Sequence, residues 1–390
     1  MHLVKGYVGT GIFALGQAFK CSGLLLGPLL LVLIALMNLN CQHILVKTAQ
    51  KIAKAEERED VKPSFAETVE YTVEASSIKC LRNNSRRFGF MTVIMLCVIE
   101  LGFCCVYFVF IAEHLVEITS AYGFLKEKDK DSIHIMLTII LVPMWLSTFL
   151  GNLKLLLPLS VLANILLSCG VMIVFYFTTK DGLVPASERN LVSSYKDLPL
   201  YFGIALFSFE GITFILPLQS EMKHPEKFSS NFGVLNVGMT LVCLLFAAVG
   251  ILSYWKFGEE VEASVILNLP FEDPLAKAAK FLICVAVLLT FTLHMYIPFE
   301  VTYPLFYRKY GPFKHNLLAM CLYRILLAHV VPFLALFISL LGASSGATLA
   351  LIIPPILELI AFKDELSYIQ ISKDILIIAV GVVGAVTGTV

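Results

Sequence analysis

The chain has 390 residues, 58% of them apolar and 15% charged, and its 29 basic residues match its 29 acidic ones. Soluble domains sit near ~45–50% apolar and ~25% charged. This composition, with a mean hydropathy of +0.84, excludes a soluble globular protein. It implies a polytopic membrane protein without a large soluble domain, and zero net charge gives no reason to expect a nucleic-acid partner.

A helix needs about 20 apolar residues to cross a bilayer. Eleven spans fit: 3–20, 24–47, 89–119, 133–150, 155–179, 198–219, 231–255, 276–300, 317–341, 346–362 and 371–390. The N-terminal segment has neither a basic leader nor a small-residue cleavage site, so no cleavable signal peptide is expected. Its span opens His2-Leu3-Val4-Lys5-Gly6-Tyr7-Val8-Gly9-Thr10-Gly11. Glycine weakens a helix, and in lipid no water replaces the backbone hydrogen bonds that are lost. N–H groups freed at Gly9, Thr10 and Gly11, at the positive end of a half-helix, suit an α-carboxylate. Close helix packing through small residues explains the same glycines without a ligand. His2 at the start of the span suits proton exchange near neutral pH, or is simply an interfacial histidine.

The 48–88 loop carries Lys51, Lys54, Arg58, Lys62, Lys79, Arg82, Arg86 and Arg87. The positive-inside rule places it, and the N-terminus, in the cytoplasm, and eleven spans leave the C-terminus outside. Within this loop, Ser64-Phe65-Ala66-Glu67-Thr68-Val69-Glu70-Tyr71 follows Pro63 and reads as a capped amphipathic helix on the cytoplasmic face. The sequon Asn83-Asn84-Ser85 falls on the same side and is read as a chance match.

The third span is long enough to tilt or project beyond the bilayer. Glu100 lies inside it, next to Leu101-Gly102-Phe103-Cys104-Cys105-Val106-Tyr107, where the Tyr107 hydroxyl can serve a ligand. The sixth span contains Phe207-Ser208-Phe209-Glu210-Gly211. An isolated ionised glutamate in lipid is costly, so Glu210 is protonated, paired or facing a wet cavity. Contact with a substrate ammonium, titration with a coupling ion, and a structural tie to neighbouring helices all remain open. Phe207 and Phe209 either close over a ligand or face lipid. The eighth span ends in a polar cluster of His294, Tyr296, Pro298 and Glu300. Arg324 and His329 lie in the ninth, where Arg324 snorkels or pairs with Glu300.

Eight of the ten cysteines fall in apolar segments, and Cys21 and Cys80 fall in loops on opposite sides of the membrane, so no disulfide is expected. No His/Cys cluster offers a metal site. Neither a nucleophile elbow, a zinc-protease helix nor a P-loop is present, so the chain reads as no enzyme and no ATP-driven pump. Two glycine-broken helices about 200 residues apart, each opening a run of five spans, form the pattern of an inverted-repeat secondary transporter. The first repeat covers 1–179, the second 198–362, and 371–390 is an extra helix, all within one transporter domain.

Five motifs in order resemble the proton-coupled amino acid transporter family, the solute carrier 36 branch of the amino acid/auxin permeases. They are His2–Gly6 with Gly9-Thr10-Gly11; Leu101 to Phe110; Phe207 to Gly211; Leu267-Asn268-Leu269-Pro270; and Ala350-Leu351-Ile352-Ile353-Pro354-Pro355. The likeness spans nearly the whole chain. It implies an all-α body of about 11 transmembrane helices of the leucine-transporter type, with a 5+5 inverted repeat and broken helices 1 and 6. It implies symport of a small neutral amino acid with a proton, without a cofactor, at the plasma membrane or a lysosomal or vacuolar membrane. The family's coupling histidine matches His2; Glu210 and Glu100, from their places inside the spans, are further candidates for proton coupling. Gly9, Thr10, Gly11, Tyr107, Phe207, Ser208, Phe209, Gly211 and Tyr296 form the substrate set.

Three departures from the family pattern stand out. Relatives begin with a polar cytoplasmic tail, whereas this chain begins at the first helix. The paired extracellular cysteines of vertebrate relatives have no counterparts in 121–132 or 256–275. Glu100 stands where glutamine is expected. The rival readings are a sodium-coupled permease using Thr290 and Thr292, an uncoupled permease, and an amino-acid sensor signalling to a cytoplasmic partner.

Overall fold

The computed structural model describes residues 2–55, 63–124, 130–149, 153–222, 224–270, 272–311, 319–323, 326 and 345–387. Among them the long elements are all helical. In chain order they are α1 (His2–Tyr7), α2 (Gly11–Ser22), α3 (Leu26–Ala55), α4 (Phe65–Glu74), α5 (Ser85–Ser120), α6 (Lys130–Thr148) and α7 (Leu153–Thr179). There follow α8 (Leu198–Ser208), α9 (Ile215–Ser220), α10 (Val234–Phe257), α11 (Pro274–Tyr310), α12 (Ile353–Ala361) and α13 (Tyr368–Thr387). Eight helices among the described residues are long and apolar enough to cross a membrane. Of the other three expected spans, the first is split into α1 and α2, the ninth lies largely outside the described residues, and the tenth is short.

The contacts divide the chain into two compact units, each built from separated stretches of sequence. One comprises Met1–Leu96, Asn190–Ile251 and Gly342–Val390, the other Cys97–Arg189 and Leu252–Leu341.

In the first unit α2 packs along α8, and α3 packs on α4 and α12. Tyr201 donates its hydroxyl hydrogen to the Gly27 carbonyl at 2.6 Å. Leu24 and Leu25 donate their N–H groups to the carbonyls of Asn190 and Leu191 at 2.9 Å each. Gly23 turns the chain there with φ +95°, and a Cβ on it would lie 2.6 Å from the Leu191 carbonyl oxygen, so both backbone and space demand glycine. Lys51 caps the end of α12 through the Ala361 carbonyl at 2.8 Å and pairs with Glu365 at 2.7 Å. Lys373 holds α13 in place through Glu358 at 3.1 Å and Asn40 at 3.3 Å.

The amphipathic segment of the 48–88 loop is α4. Ser64 accepts from the Glu67 N–H, and the Glu67 side chain reaches back to the Ser64 N–H at 2.8 Å, the reciprocal capping box. Its apolar face (Phe65, Val69, Val73) is buried against α3 and α12. The helix therefore packs on protein through this face.

In the second unit α11 packs along α7 and α6. Gly170 has no side chain where Ile283 crosses it, so the two helices approach closely. Lys280 of α11 and Glu117 of α5 form a buried ion pair. Arg189 holds the carbonyls of Trp255 and Lys256 at 2.9 and 3.0 Å.

Several boundaries differ from the expectations, and three of the differences have a local cause. α11 runs ten residues past the expected end at 300, because a row of rings continues its packing. Phe299 stacks on Tyr303 at 5.1 Å, and Phe306 meets Tyr310 at 5.2 Å. Arg308 and Lys309 close its last turn, where the helix dipole favours cations. The tenth span opens with a π-helical turn, Thr348–Ile352, before α12. Pro354 and Pro355 follow at once and cannot donate backbone hydrogen bonds, so the preceding carbonyls are not committed to a regular α ladder. Cys21, expected in a loop, is buried within the last turn of α2.

Candidate functional site: two meeting helix breaks and a buried histidine

The first break separates α1 from α2 at Val8–Thr10, and the second separates α8 from α9 around Phe209–Gly211. Both lie in the first unit, and they touch. Ser208, the last residue of α8, donates its hydroxyl hydrogen to the Gly11 carbonyl at 3.0 Å and to its own helix at the Ile204 carbonyl, 2.8 Å. A Cβ on Gly11 would lie 2.8 Å from Ser208 Oγ and 2.9 Å from its Cα. A Cβ on Gly211 would lie 2.5 Å from Tyr7 Cε1. The two glycines thus let one break seat directly against the other.

The breaks free polar groups in a buried place. Helix α2 starts at Gly11, so the N–H groups of its first turn have no acceptor within the helix. Thr10 is buried, and its Oγ1 has no hydrogen-bond partner among the described residues. Glu210 is buried beside Tyr7, which also lies by Gln42 of α3. Asn38, one turn before Gln42, is buried with its whole amide unpartnered among the described residues. Buried polar atoms find partners in almost every native structure, so this cluster calls for water or a ligand. Phe209 is fully buried against Phe246 at 5.1 Å, while Phe207 is half-buried.

In the second unit the sequence-derived residues Glu100 and Tyr107 come together on a residue given no partner from sequence. His294 Nδ1 lies 2.6 Å from Glu100 Oε2, and its Nε2 lies 3.1 Å from the Tyr107 hydroxyl. All three side chains are buried. The Phe103 ring sits 5.1 Å from the imidazole. Tyr296, on the same helix, is half-buried. A second buried set, missed from sequence, joins Lys280 to Glu117 and places Ser264 3.4 Å from His114 Nε2. The available signal was Lys280 itself, since a lysine inside an apolar span demands an acidic partner. Thr290 and Thr292, the residues of the sodium reading, donate to the carbonyls of Ala286 and Leu288 in their own helix. The side chains of His2, Glu300, Arg324 and His329 lie outside the described residues.

Residues 1–390 match the family described as "Transmembrane amino acid transporter protein". The "Proton-coupled amino acid transporter-like protein pathetic" of Drosophila melanogaster is 32% identical over 371 residues, covering 93% of this chain and 76% of that protein. The "Probable amino acid transporter skat-1" of Caenorhabditis elegans is 26% identical over 410 residues, covering 100% of this chain and 87% of the relative. Among solved structures, MHP1, a nucleobase-cation-symport-1 family transporter in a closed conformation with bromovinylhydantoin bound, superposes with a TM-score of 0.56. The match is 15% identical and covers 99% of this chain and 88% of that one. That likeness fixes the fold: an all-α, leucine-transporter-type body with broken first and sixth helices.

Proposed function

The chain belongs to the transmembrane amino acid transporter family, a family of multi-pass membrane transporters and not of enzymes, and from that premise we propose that it carries small neutral amino acids with protons by alternating access. The observation that carries this reading is the direct seating of one broken helix on the other, Ser208 Oγ to the Gly11 carbonyl at 3.0 Å. The name of the Drosophila relative supplies the proton.

The substrate carboxylate meets backbone donors at Gly9, Thr10 and Gly11, aided by the positive end of α2. The ammonium meets carbonyls around Phe207, Ser208, Phe209 and Gly211. Tyr107 and Tyr296 complete the substrate set, and His2, Glu210 and Glu100 serve proton coupling. Residues 1–179 and 198–362 form the two repeats, with 371–390 as the extra helix. A zwitterion carried with one proton moves one net charge. A membrane potential of ~100 mV then supplies about 2.3 kcal/mol and each pH unit about 1.4 kcal/mol. Together they support roughly a 500-fold gradient when coupling is tight.

The test is uptake of glycine, alanine, proline and tryptophan in sodium-free medium at pH 5.5 and 7.5, normalised to surface protein. Larger uptake at pH 5.5 supports the reading. Uptake that requires sodium, or that ignores pH, refutes the proton coupling.

A further inference from the structure

We propose that His294, held between Glu100 and Tyr107, is a further proton-holding site that works with His2 and Glu100 in coupling. The inference rests on the proton-coupled reading above and names the atoms that hold its ion.

Both imidazole nitrogens are engaged, Nδ1 by Glu100 Oε2 at 2.6 Å and Nε2 by the Tyr107 hydroxyl at 3.1 Å. This arrangement accommodates two protonation states without moving a heavy atom. With neutral imidazole, Nδ1–H donates to the Glu100 carboxylate and Nε2 accepts from the Tyr107 O–H. With imidazolium, Nδ1–H still donates to Glu100 and Nε2–H donates to the Tyr107 oxygen, whose hydrogen has rotated away. A phenol can do both, since it is donor and acceptor. One proton is gained, one hydroxyl turns, and no hydrogen bond to the imidazole is lost.

The charge balance gives the pair its purpose. Glu100 is 0% exposed. An ionised carboxylate beside neutral imidazole leaves one buried negative charge, and a proton cancels it. Burying an unpaired charge is costly, whereas a hydrogen-bonded neutral pair is tolerated. Release of the proton needs water or a dipole at the carboxylate. Glu100 supplies the place for it: its second oxygen, Oε1, is buried with no hydrogen-bond partner among the described residues.

Other ionisable side chains share α5, among them the buried Cys105 and His114 and the half-buried Glu113. On α5, Cys97 and Cys104 flank Glu100 in helical register, and Cys104 Sγ sits 4.0 Å from Met295 Sδ. On α6 and α7, the helices packed on α11, the described titratable side chains are Asp131, His134, Cys169 and Tyr176. All four are exposed. The other buried pair of this unit, Lys280–Glu117, sits 14 residues before His294 on α11 and is already neutral as an ion pair.

The experiment compares wild type with His294→Gln and Glu100→Gln, leaving His2 intact. Two quantities are measured: the ratio of alanine or proline uptake at pH 5.5 to that at pH 7.5, and the protons taken up on binding by the purified protein. The second is read by calorimetry in buffers of different ionisation enthalpy. The uptake ratio should fall to about one in His294→Gln, and proton uptake on binding should vanish. Glu100→Gln should reduce both, because the charge that holds the proton is gone. If His294→Gln does not fold, judged by its melting profile in detergent, Glu100→Gln decides by the same two readings. A wild-type ratio and wild-type proton uptake in the variants overturn the assignment. Wild-type protein that moves alanine and proline with no pH dependence overturns instead the proton-coupled reading on which it rests.

Discussion

The two units of this protein solve the same problem in opposite ways. Polar groups inside a membrane protein must find partners within it. In the first unit the helices themselves are broken at Val8–Thr10 and Phe209–Gly211, and the breaks bring backbone groups and glycines together where the chains cross. In the second unit the long helices α5 and α11 stay whole, and the buried polar groups are ionisable side chains set opposite one another, Lys280 with Glu117 and His294 with Glu100. Backbone dipoles suit a zwitterion that must bind and leave, since they present partial charges without a counter-ion. Paired side chains suit a site that is neutral when loaded.

Substitutions can break this contrast in either unit. The largest effect is expected from Lys280→Met, which removes the ammonium paired with the buried Glu117 carboxylate. Leaving one partner of such a pair unpaired costs about 3–5 kcal/mol, visible as a large drop in melting temperature in detergent. Adding Glu117→Leu should recover most of it, and a double variant no more stable than Lys280→Met alone would show that the pair is not a unit. Next is Gly11→Ala, whose Cβ meets the Ser208 backbone at 2.9 Å. Overpacking of this kind costs about 1–3 kcal/mol, and at this position amino acid uptake should fall at least about tenfold for equal surface protein. Normal uptake would mean that the contact between the breaks is dispensable.

Smaller effects sharpen the comparison. Ser208→Ala removes one hydrogen bond to the Gly11 carbonyl, worth about 1 kcal/mol. It should lower uptake severalfold with little change in melting temperature. Ser64→Ala removes the capping box of α4 and should cost about 1 kcal/mol of stability while uptake per surface molecule stays at the wild-type level. A transport defect there would give α4 a part in the cycle rather than in packing alone.

Sequence reading located the helices and the breaks well, and the partners poorly. Apolar runs and glycine-flanked polar residues are local signals, so spans such as 155–179 and 198–219 and the interruptions at Gly9–Gly11 and Ser208–Gly211 could be read directly. Which side chain meets which is a long-range fact. His294 lies 194 residues from Glu100, and Lys280 lies 163 from Glu117. Each was visible as a polar residue in an apolar run, but nothing in the order of residues says where it is satisfied. The π-helical turn before Pro354 escaped notice because hydropathy does not register hydrogen-bond offset. The length of α11 escaped because its last turns are held by stacked tyrosines rather than by aliphatic residues.

The central claim, that an amino acid and a proton move together through this body, is tested most directly by current in voltage-clamped oocytes in sodium-free medium. Glycine, alanine, proline or tryptophan is added at pH 5.5 and at pH 7.5, with surface protein confirmed. The account predicts inward current on adding substrate, larger at pH 5.5. No current at either pH with protein at the surface, or current only when sodium is restored, would contradict it.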